Sequence, residues 1–284
     1  MPLKSDYQAV IDANQELHTV LAASYDETEP QFRPENVARV ERRLLEIFGA
    51  TSAKRMLDLG CGTGFLINIA KQYVARIDGV DVTQAMISRV DRSGPCAIQL
   101  HLADTGAFQP EEGAFDVVTA YSFLHHLFDI EPTFATAARA LRPGGKFYVD
   151  QEPNYYFWEA VKALDPAGNY DALVKREILA LTEKDLEIQN QYQVDKDVFN
   201  QAEYNKSITG GFREETLIAM LKAAGFSKVE ISYHWFLGQA AITNYSEWDA
   251  QSRLETARLF AATLEKSLPL TRRLFKYVGF VATR

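Results

Sequence analysis

Three aspartates close short apolar runs. Asp58 follows Met56-Leu57, Asp81 follows Ile77-Asp78-Gly79-Val80, and Asp104 follows Ile98-Gln99-Leu100-His101-Leu102-Ala103. Asp58 stands two residues before Gly60-Cys61-Gly62-Thr63-Gly64, and a segment with Phe65, Leu66, Ile69, Ala70, Tyr73 and Val74 on one helical face begins at once. The spacing predicts strand, tight loop, helix. Glycines suit such a loop because they accept positive φ and have no Cβ to hold a ligand away from the backbone. The free N–H groups that open a helix favour a negatively charged group. Asp81 falls 21 residues after Gly60, where a carboxylate can accept hydrogen bonds from two ribose hydroxyls. Asp78 lies before its strand end and is expected to face solvent. Asp104 can accept a hydrogen bond from an adenine amino group or cap the turn that follows it.

A second set of residues could move protons. His125 and His126 lie just beyond the apolar run 115–121, and histidine titrates near working pH. They are candidate general bases, or hydrogen-bonding groups on the floor of a pocket. Asp150, Glu152 and Asn154 follow the fifth strand-like run and are expected to face the same pocket. Glu152 could orient an amine or hydroxyl, or pair with an arginine. His18, His101 and His234 have no cluster around them and receive no function.

These residues must be held by a sheet. Apolar runs recur at 55–60, 76–82, 97–103, 115–121 and 145–150, with helical patterns at 64–74, 83–92 and 130–141 between several of them. Repeated β-α units predict a parallel sheet covered on both faces, and right-handed crossovers make it doubly wound α/β. Two helices are expected ahead of it, over about 6–22 and from Pro34 to a stop at Gly49, with Tyr25 in the loop between them. After Asp150 the rhythm breaks, with mostly helical patterns at 170–183 and 185–204. It returns with a helix from Phe212 to Gly225 and a strand at 226–233, breaks again to about 276, and ends in the strand Tyr277–Ala282.

Composition narrows the setting. A chain of 284 residues with 47% hydrophobic and 24% charged residues fits one large domain or a domain with a cap. A formal net charge of −8 argues against a nucleic-acid surface; Arg272, Arg273 and Lys276 read as a solvated helix face. No apolar run reaches membrane-span length, and the first residues lack the pattern of a signal peptide. Two cysteines, Cys61 and Cys96, argue against a disulfide framework or a cysteine zinc site. A cytoplasmic location is expected, and no metal.

Asp58-Leu59-Gly60-Cys61-Gly62-Thr63-Gly64 resembles the first motif of class I S-adenosylmethionine (SAM)-dependent methyltransferases. Ala114–Ser122 resembles the family's fourth-strand motif, and Leu141-Arg142-Pro143-Gly144-Gly145-Lys146-Phe147 its turn into strand five. The resemblance covers roughly 50–150 and 212–233 and is nearest the broad group that includes ubiquinone- and menaquinone-biosynthesis methyltransferases. It implies a seven-stranded Rossmann-like sheet whose last strand is antiparallel, with SAM as cofactor. Asp58 would then bind the SAM amino group, often through water, and Val82 and Met86 would pack on the adenine. Gly60, Gly62, Gly64, Asp81, Asp104, Thr105 and Tyr121 complete the expected cofactor set. The anion at the helix start would be the methionine carboxylate. A dinucleotide oxidoreductase is the competing reading, but its fingerprint is Gly-x-Gly-x-x-Gly. Here the glycines alternate, and Phe65 would obstruct close helix–strand packing.

The implied organisation is N-terminal helices over 1–50 as a lid, a core over 51–152, a cap insertion over 153–211, core over 212–235, a second insertion over 236–275 and a last strand over 276–284. Both insertions leave the ligand edge of the sheet, so they are expected to meet over the active site. Aromatic residues concentrate there, including Trp158, Trp235, Trp248 and Tyr192. Tyr155, Tyr156 and Trp158, directly after strand five, are candidate walls of an enclosed acceptor pocket, with Tyr25 closing over the ligand. The function expected is methyl transfer to a small or medium organic acceptor, with O-methylation favoured. SAM chemistry other than methyl transfer, binding without turnover, and modification of a protein or RNA are the alternatives. The cap could equally form a homodimer surface.

Overall fold

The computed structural model describes residues 4–182 and 194–284; Tyr192 and the expected helical stretch 185–193 lie outside them. Seven strands form one sheet: β1 (Arg55–Leu59), β2 (Arg76–Asp81), β3 (Ala97–Leu102), β4 (Phe115–Tyr121), β5 (Leu141–Pro153), β6 (Lys228–Phe236) and β7 (Phe275–Thr283). Their order is β3-β2-β1-β4-β5-β7-β6. The first five are parallel, and β7 inserts antiparallel between β5 and β6.

Adjacent residues on each central strand point to opposite faces, and both faces are covered, so the strands read as nearly unbroken apolar runs. On one face Met56, Val117 and Tyr148 meet Val40, Leu44 and Phe48 of helix α3 (Pro34–Thr51) and Leu66 of α4 (Phe65–Ala70). On the other, Leu57, Val118 and Phe147 meet Phe134 of the helix Glu131–Ala140 and Leu217 and Leu221 of the helix Glu214–Ala223. Among the described residues no helix is long and apolar enough to cross a membrane.

Helix α1 spans Lys4–Leu21 and the single turn α2 spans Tyr25–Thr28. Pro34 opens α3, but that helix passes Gly49, and Ser52 supplies the left-handed cap with φ 52°. Arg142 Nη2 donates to the Thr51 carbonyl at 2.6 Å, satisfying a backbone group that an earlier stop would leave elsewhere. Asp78 is buried rather than solvent-facing, because Arg76 and His101 from neighbouring positions close on its carboxylate.

Leu237 of the second insertion joins Phe157, Trp158, Tyr170 and Val174 of the first in one apolar cluster, and Lys276 Nζ on β7 reaches Glu177 at 2.6 Å. Yet the first insertion also turns toward α1: Val194, Phe199 and Ala202 pack on Ala13, Leu17 and Leu21. It therefore backs the N-terminal helix, and that helix covers the ligand edge.

Candidate functional site

A cleft opens at the C-terminal ends of β1 to β4. The glycine loop forms its floor. Gly60 has φ +71°, and a Cβ there would come within 2.0 Å of the Phe123 ring. Gly62 has φ +52° with open space at its Cβ position, and its N–H donates to Asp81 Oδ2 at 2.9 Å. Asp81 Oδ1 accepts from the Thr83 N–H at 2.8 Å, so loop and strand end share one carboxylate. Gly64 (φ +94°) caps the six-residue α4. Asp58 is buried and accepts from Thr119 Oγ1 at 2.6 Å. Burial, with the Asp81 charge adding to it and the Thr119 hydrogen bond opposing, pushes its carboxyl up to about 7. Val82, Met86, Asp104, Thr105 and Tyr121 line the same cleft. The Tyr121 ring lies 4.8 Å from Phe65, and its hydroxyl accepts from Asn36 Nδ2 at 2.9 Å and Arg39 Nη2 at 3.3 Å.

The opposite wall is the N-terminal segment. Tyr7, Val10, Ile11, Asn14 and His18 of α1, with Tyr25 and Gln31, face the cleft. Tyr7 Oη donates to Asp104 Oδ2, the Asn14 amide to the His126 carbonyl at 2.9 Å, and Gln15 Nε2 to the Val82 carbonyl at 2.9 Å. Thr63 Oγ1 donates to Asp26 Oδ1 at 2.5 Å, fastening α2 to the glycine loop. Tyr25 packs edge-on against Phe32 and receives the Gln31 amide at 3.4 Å. Sequence reasoning missed Tyr7, Asn14, Gln15, His18 and Gln31. The available signal was polar Asn14 and His18 four apart beside the apolar face of an amphipathic helix.

Beyond β4 a single turn, Leu124–His126, carries the histidine pair. Glu152 accepts from the Phe123 and Leu124 N–H groups, both at 2.8 Å, from the His125 N–H at 3.1 Å, and from His125 Nδ1 at 2.8 Å. It builds the turn and does not line the cleft. His125 Nε2 lies 3.7 Å from Glu203. Burial opposes charge on His125, but Glu152 and Glu203 overcome it and hold the imidazole protonated up to about 9. His126 does line the cleft. Its Nδ1 donates to the Ala202 carbonyl at 2.8 Å, which leaves Nε2 as the acceptor. Burial, then the charge on His125, push its pKa well below the ordinary histidine value, so the ring is neutral.

A ring nitrogen from each of these histidines and a carboxylate oxygen of Glu203 lie within 4.8 Å of one another, a metal-like spacing. The protons already placed argue otherwise. His125 is an imidazolium between two carboxylates, the His126 nitrogen facing Glu203 is donating to Ala202, and Lys206 Nζ reaches Glu203.

The remaining candidates sit elsewhere. Asp150 holds Arg39 at 2.7 Å on the α3 face. Asn154 Nδ2 donates to the Arg272 and Phe275 carbonyls, while its Oδ1 caps the helix Tyr155–Lys162. Tyr155 stacks under Arg213, and Tyr156 lies under Arg272 with its hydroxyl on Glu215. Trp158 packs edge-on against Phe157. None of these five is among the residues that line the cleft.

Residues 57–149 match the family described as "Methyltransferase domain". The chain thus carries a methyltransferase domain over those residues, on the seven-stranded fold of class I SAM-dependent methyltransferases. A ubiquinone biosynthesis O-methyltransferase of Bordetella pertussis is 28% identical over 189 residues, covering 60% of this chain and 78% of that protein. A SAM-dependent methyltransferase from Mesorhizobium loti superposes with TM-score 0.50 at 18% identity, covering 87% of this chain and 96% of that one. A phosphoethanolamine N-methyltransferase 2 of Haemonchus contortus, seen with phosphomonomethylethanolamine and S-adenosylhomocysteine, gives TM-score 0.55 at 16% identity over 100% of this chain and 61% of that one. Likeness at such identities concerns the fold alone.

Proposed function

We propose that this enzyme methylates a hydroxyl on a small organic acceptor held beneath α1 and α2. SAM, when bound, supplies an electrophilic sulfonium methyl. The residues present suit it. Asp58 beside Asp81 makes a buried site short of positive charge, which an ammonium would satisfy. A side chain at Gly60 would fill the cradle. Asp81 would take the ribose hydroxyls and Asp104 the adenine amino group, while Val82, Met86 and Tyr121 would provide apolar walls.

The observation that carries the acceptor reading is His126. It is neutral, its tautomer is fixed by Ala202, and it stands on the wall of the cofactor cleft. Its Nε2 can take the acceptor's hydroxyl proton as the oxygen becomes nucleophilic, and the surrounding residues hold that oxygen in place. Tyr25 and His18 form the same wall. The resemblance to ubiquinone O-methyltransferases favours oxygen over nitrogen or carbon. The buried, unpaired Cys61 and Cys96 suit a cytoplasmic setting. Exposed Leu259, Phe260 and Leu270 in the second insertion make it a candidate homodimer face, which sedimentation of the full chain would decide.

The test is turnover with SAM against a panel of phenols, catechols, alcohols and amines, followed as S-adenosylhomocysteine and methylated product. Methyl ethers from phenolic or catecholic acceptors are expected, with His126→Gln slowing kcat by roughly 10²–10⁴-fold. Products confined to amines would overturn the hydroxyl reading. Tight SAM binding without S-adenosylhomocysteine from any acceptor would favour the non-transferring alternative.

A further inference from the structure

We infer that Glu203, outside the methyltransferase domain and far from the histidine pair in the sequence, is a positioning residue for the reaction. The inference rests on the reading of His126 as the proton acceptor. Ala202 and Glu203 end the helix Lys196–Ala202, whose Phe199 and Ala202 are packed on α1. That packing delivers two polar groups to the histidine turn. The Ala202 carbonyl receives the His126 Nδ1 proton. Glu203 Oε1 lies 3.7 Å from both His125 Nε2 and His126 Nδ1, and Glu203 is itself 7% exposed.

Two adjacent imidazoles, with ring centroids 4.1 Å apart, are thereby driven into opposite protonation states. His125 is bracketed by Glu152 on one nitrogen and Glu203 on the other and keeps its proton. Burial first, then the charge on His125 and the neighbouring His18, keep His126 neutral against the pull of the Glu203 carboxylate. Among the described residues, Glu203 also holds Lys206 directly, and its charge reaches the hydroxyls of Tyr25 and Tyr277. With His126 neutral, Glu152 and Glu203 balance His125 and Lys206. Pairs of titratable groups pushed apart in this way mark out acid and base assignments. Glu152 selects His125 for the charge, Glu203 from the insertion helps to hold it there, and the Ala202 carbonyl sets which nitrogen of His126 accepts a proton.

The experiment compares wild type, Glu203→Gln, Glu203→Asp and His126→Gln across pH 6–10, reading kcat, acceptor KM and SAM affinity. For Glu203→Gln we expect kcat to fall roughly tenfold to a hundredfold, as for loss of a close charged partner. SAM affinity should stay within about twofold. The basic limb of the kcat profile, which marks loss of the His125 proton, should move to lower pH, and Glu203→Asp should recover most of both effects. An unmoved limb, or an aspartate variant no better than glutamine, overturns the inference. Retained kcat in His126→Gln instead defeats the base reading beneath it. Should Glu203→Gln fail to fold, ¹⁵N NMR of histidine side chains in the wild type decides. One imidazolium and one neutral Nδ1–H ring at pH 7.5 are expected, and two neutral rings would refute the proposal.

Discussion

Asp58 has the Thr119 hydroxyl as its partner and the Asp81 charge nearby, and its carboxyl titrates at about 7 instead of 3.8. Between those values the native protein holds a proton that the unfolded chain has released. Native stability therefore falls as pH rises through that window, and the loss is complete above about 7. A shift of this size corresponds to roughly 4 kcal/mol before relaxation. Asp58→Asn should accordingly raise the ligand-free protein's stability above pH 7 by on the order of 2–4 kcal/mol while weakening SAM binding. In the wild type, an ammonium partner requires the ionised carboxyl, so SAM affinity should decline by up to about tenfold per pH unit below 7. Calorimetric titration between pH 5.5 and 8 checks this; a flat affinity would remove Asp58 as the ammonium's partner. The glycines separate two causes of sensitivity. Gly60→Ala meets both positive φ and the Phe123 ring, whereas Gly62→Ala meets positive φ alone. Chemical denaturation should show the first costing several kcal/mol and the second about 1 kcal/mol.

Helix α1 is the element whose role was hardest to see in the sequence. Its periodicity revealed an apolar face but not what that face covers. Tyr7 meets Asp104 across 97 positions, and nothing local to either residue marks the contact. The glycine loop and strand ends were legible because their geometry is fixed within a few residues: positive φ demands glycine, and an acid at a strand end faces the ligand edge. Tyr155, Tyr156 and Trp158 show the reverse. They follow strand five, but the Asn154 cap turns them into a helix whose aromatic side chains meet Phe157, Arg213 and Arg272 instead of the cleft. If α1 closes the cofactor cleft, Tyr7→Phe should speed SAM release by roughly threefold to tenfold, the loss of one hydrogen bond to a charged group. Stopped-flow displacement measures this directly. An unchanged dissociation rate would mean that α1 lies on the cleft without retaining the cofactor.

Across the whole molecule, an ion pair between the half-buried Arg39 and the buried Asp150 ties α3 to the sheet and the sheet to the cleft wall. Arg39 Nη1 on α3 meets Asp150 Oδ2 on β5 at 2.7 Å, and Tyr148 Oη donates to the same carboxylate at 2.7 Å. Burial opposes charge on Asp150, but Arg39 and then His234 hold its pKa down to about 2. This contribution to stability is present above the unfolded value near 3.8 and is lost as pH falls through about 2, opposite in sign to Asp58. Arg39 also donates to the Tyr121 hydroxyl from the far side of the wall whose ring faces the cleft. Arg39→Met should therefore leave Asp150 charged and unpartnered, lowering stability by about 3–5 kcal/mol. The double variant Arg39→Met/Asp150→Asn should recover most of that loss, since no buried charge is left alone. SAM affinity should not recover with it, because Tyr121 still lacks the guanidinium that fixes it. Thermal denaturation and SAM titration on the two variants separate these effects. Equal melting temperatures for single and double variants would show that the pair does not carry its charge into the fold, and full recovery of SAM affinity would detach α3 from the cofactor wall.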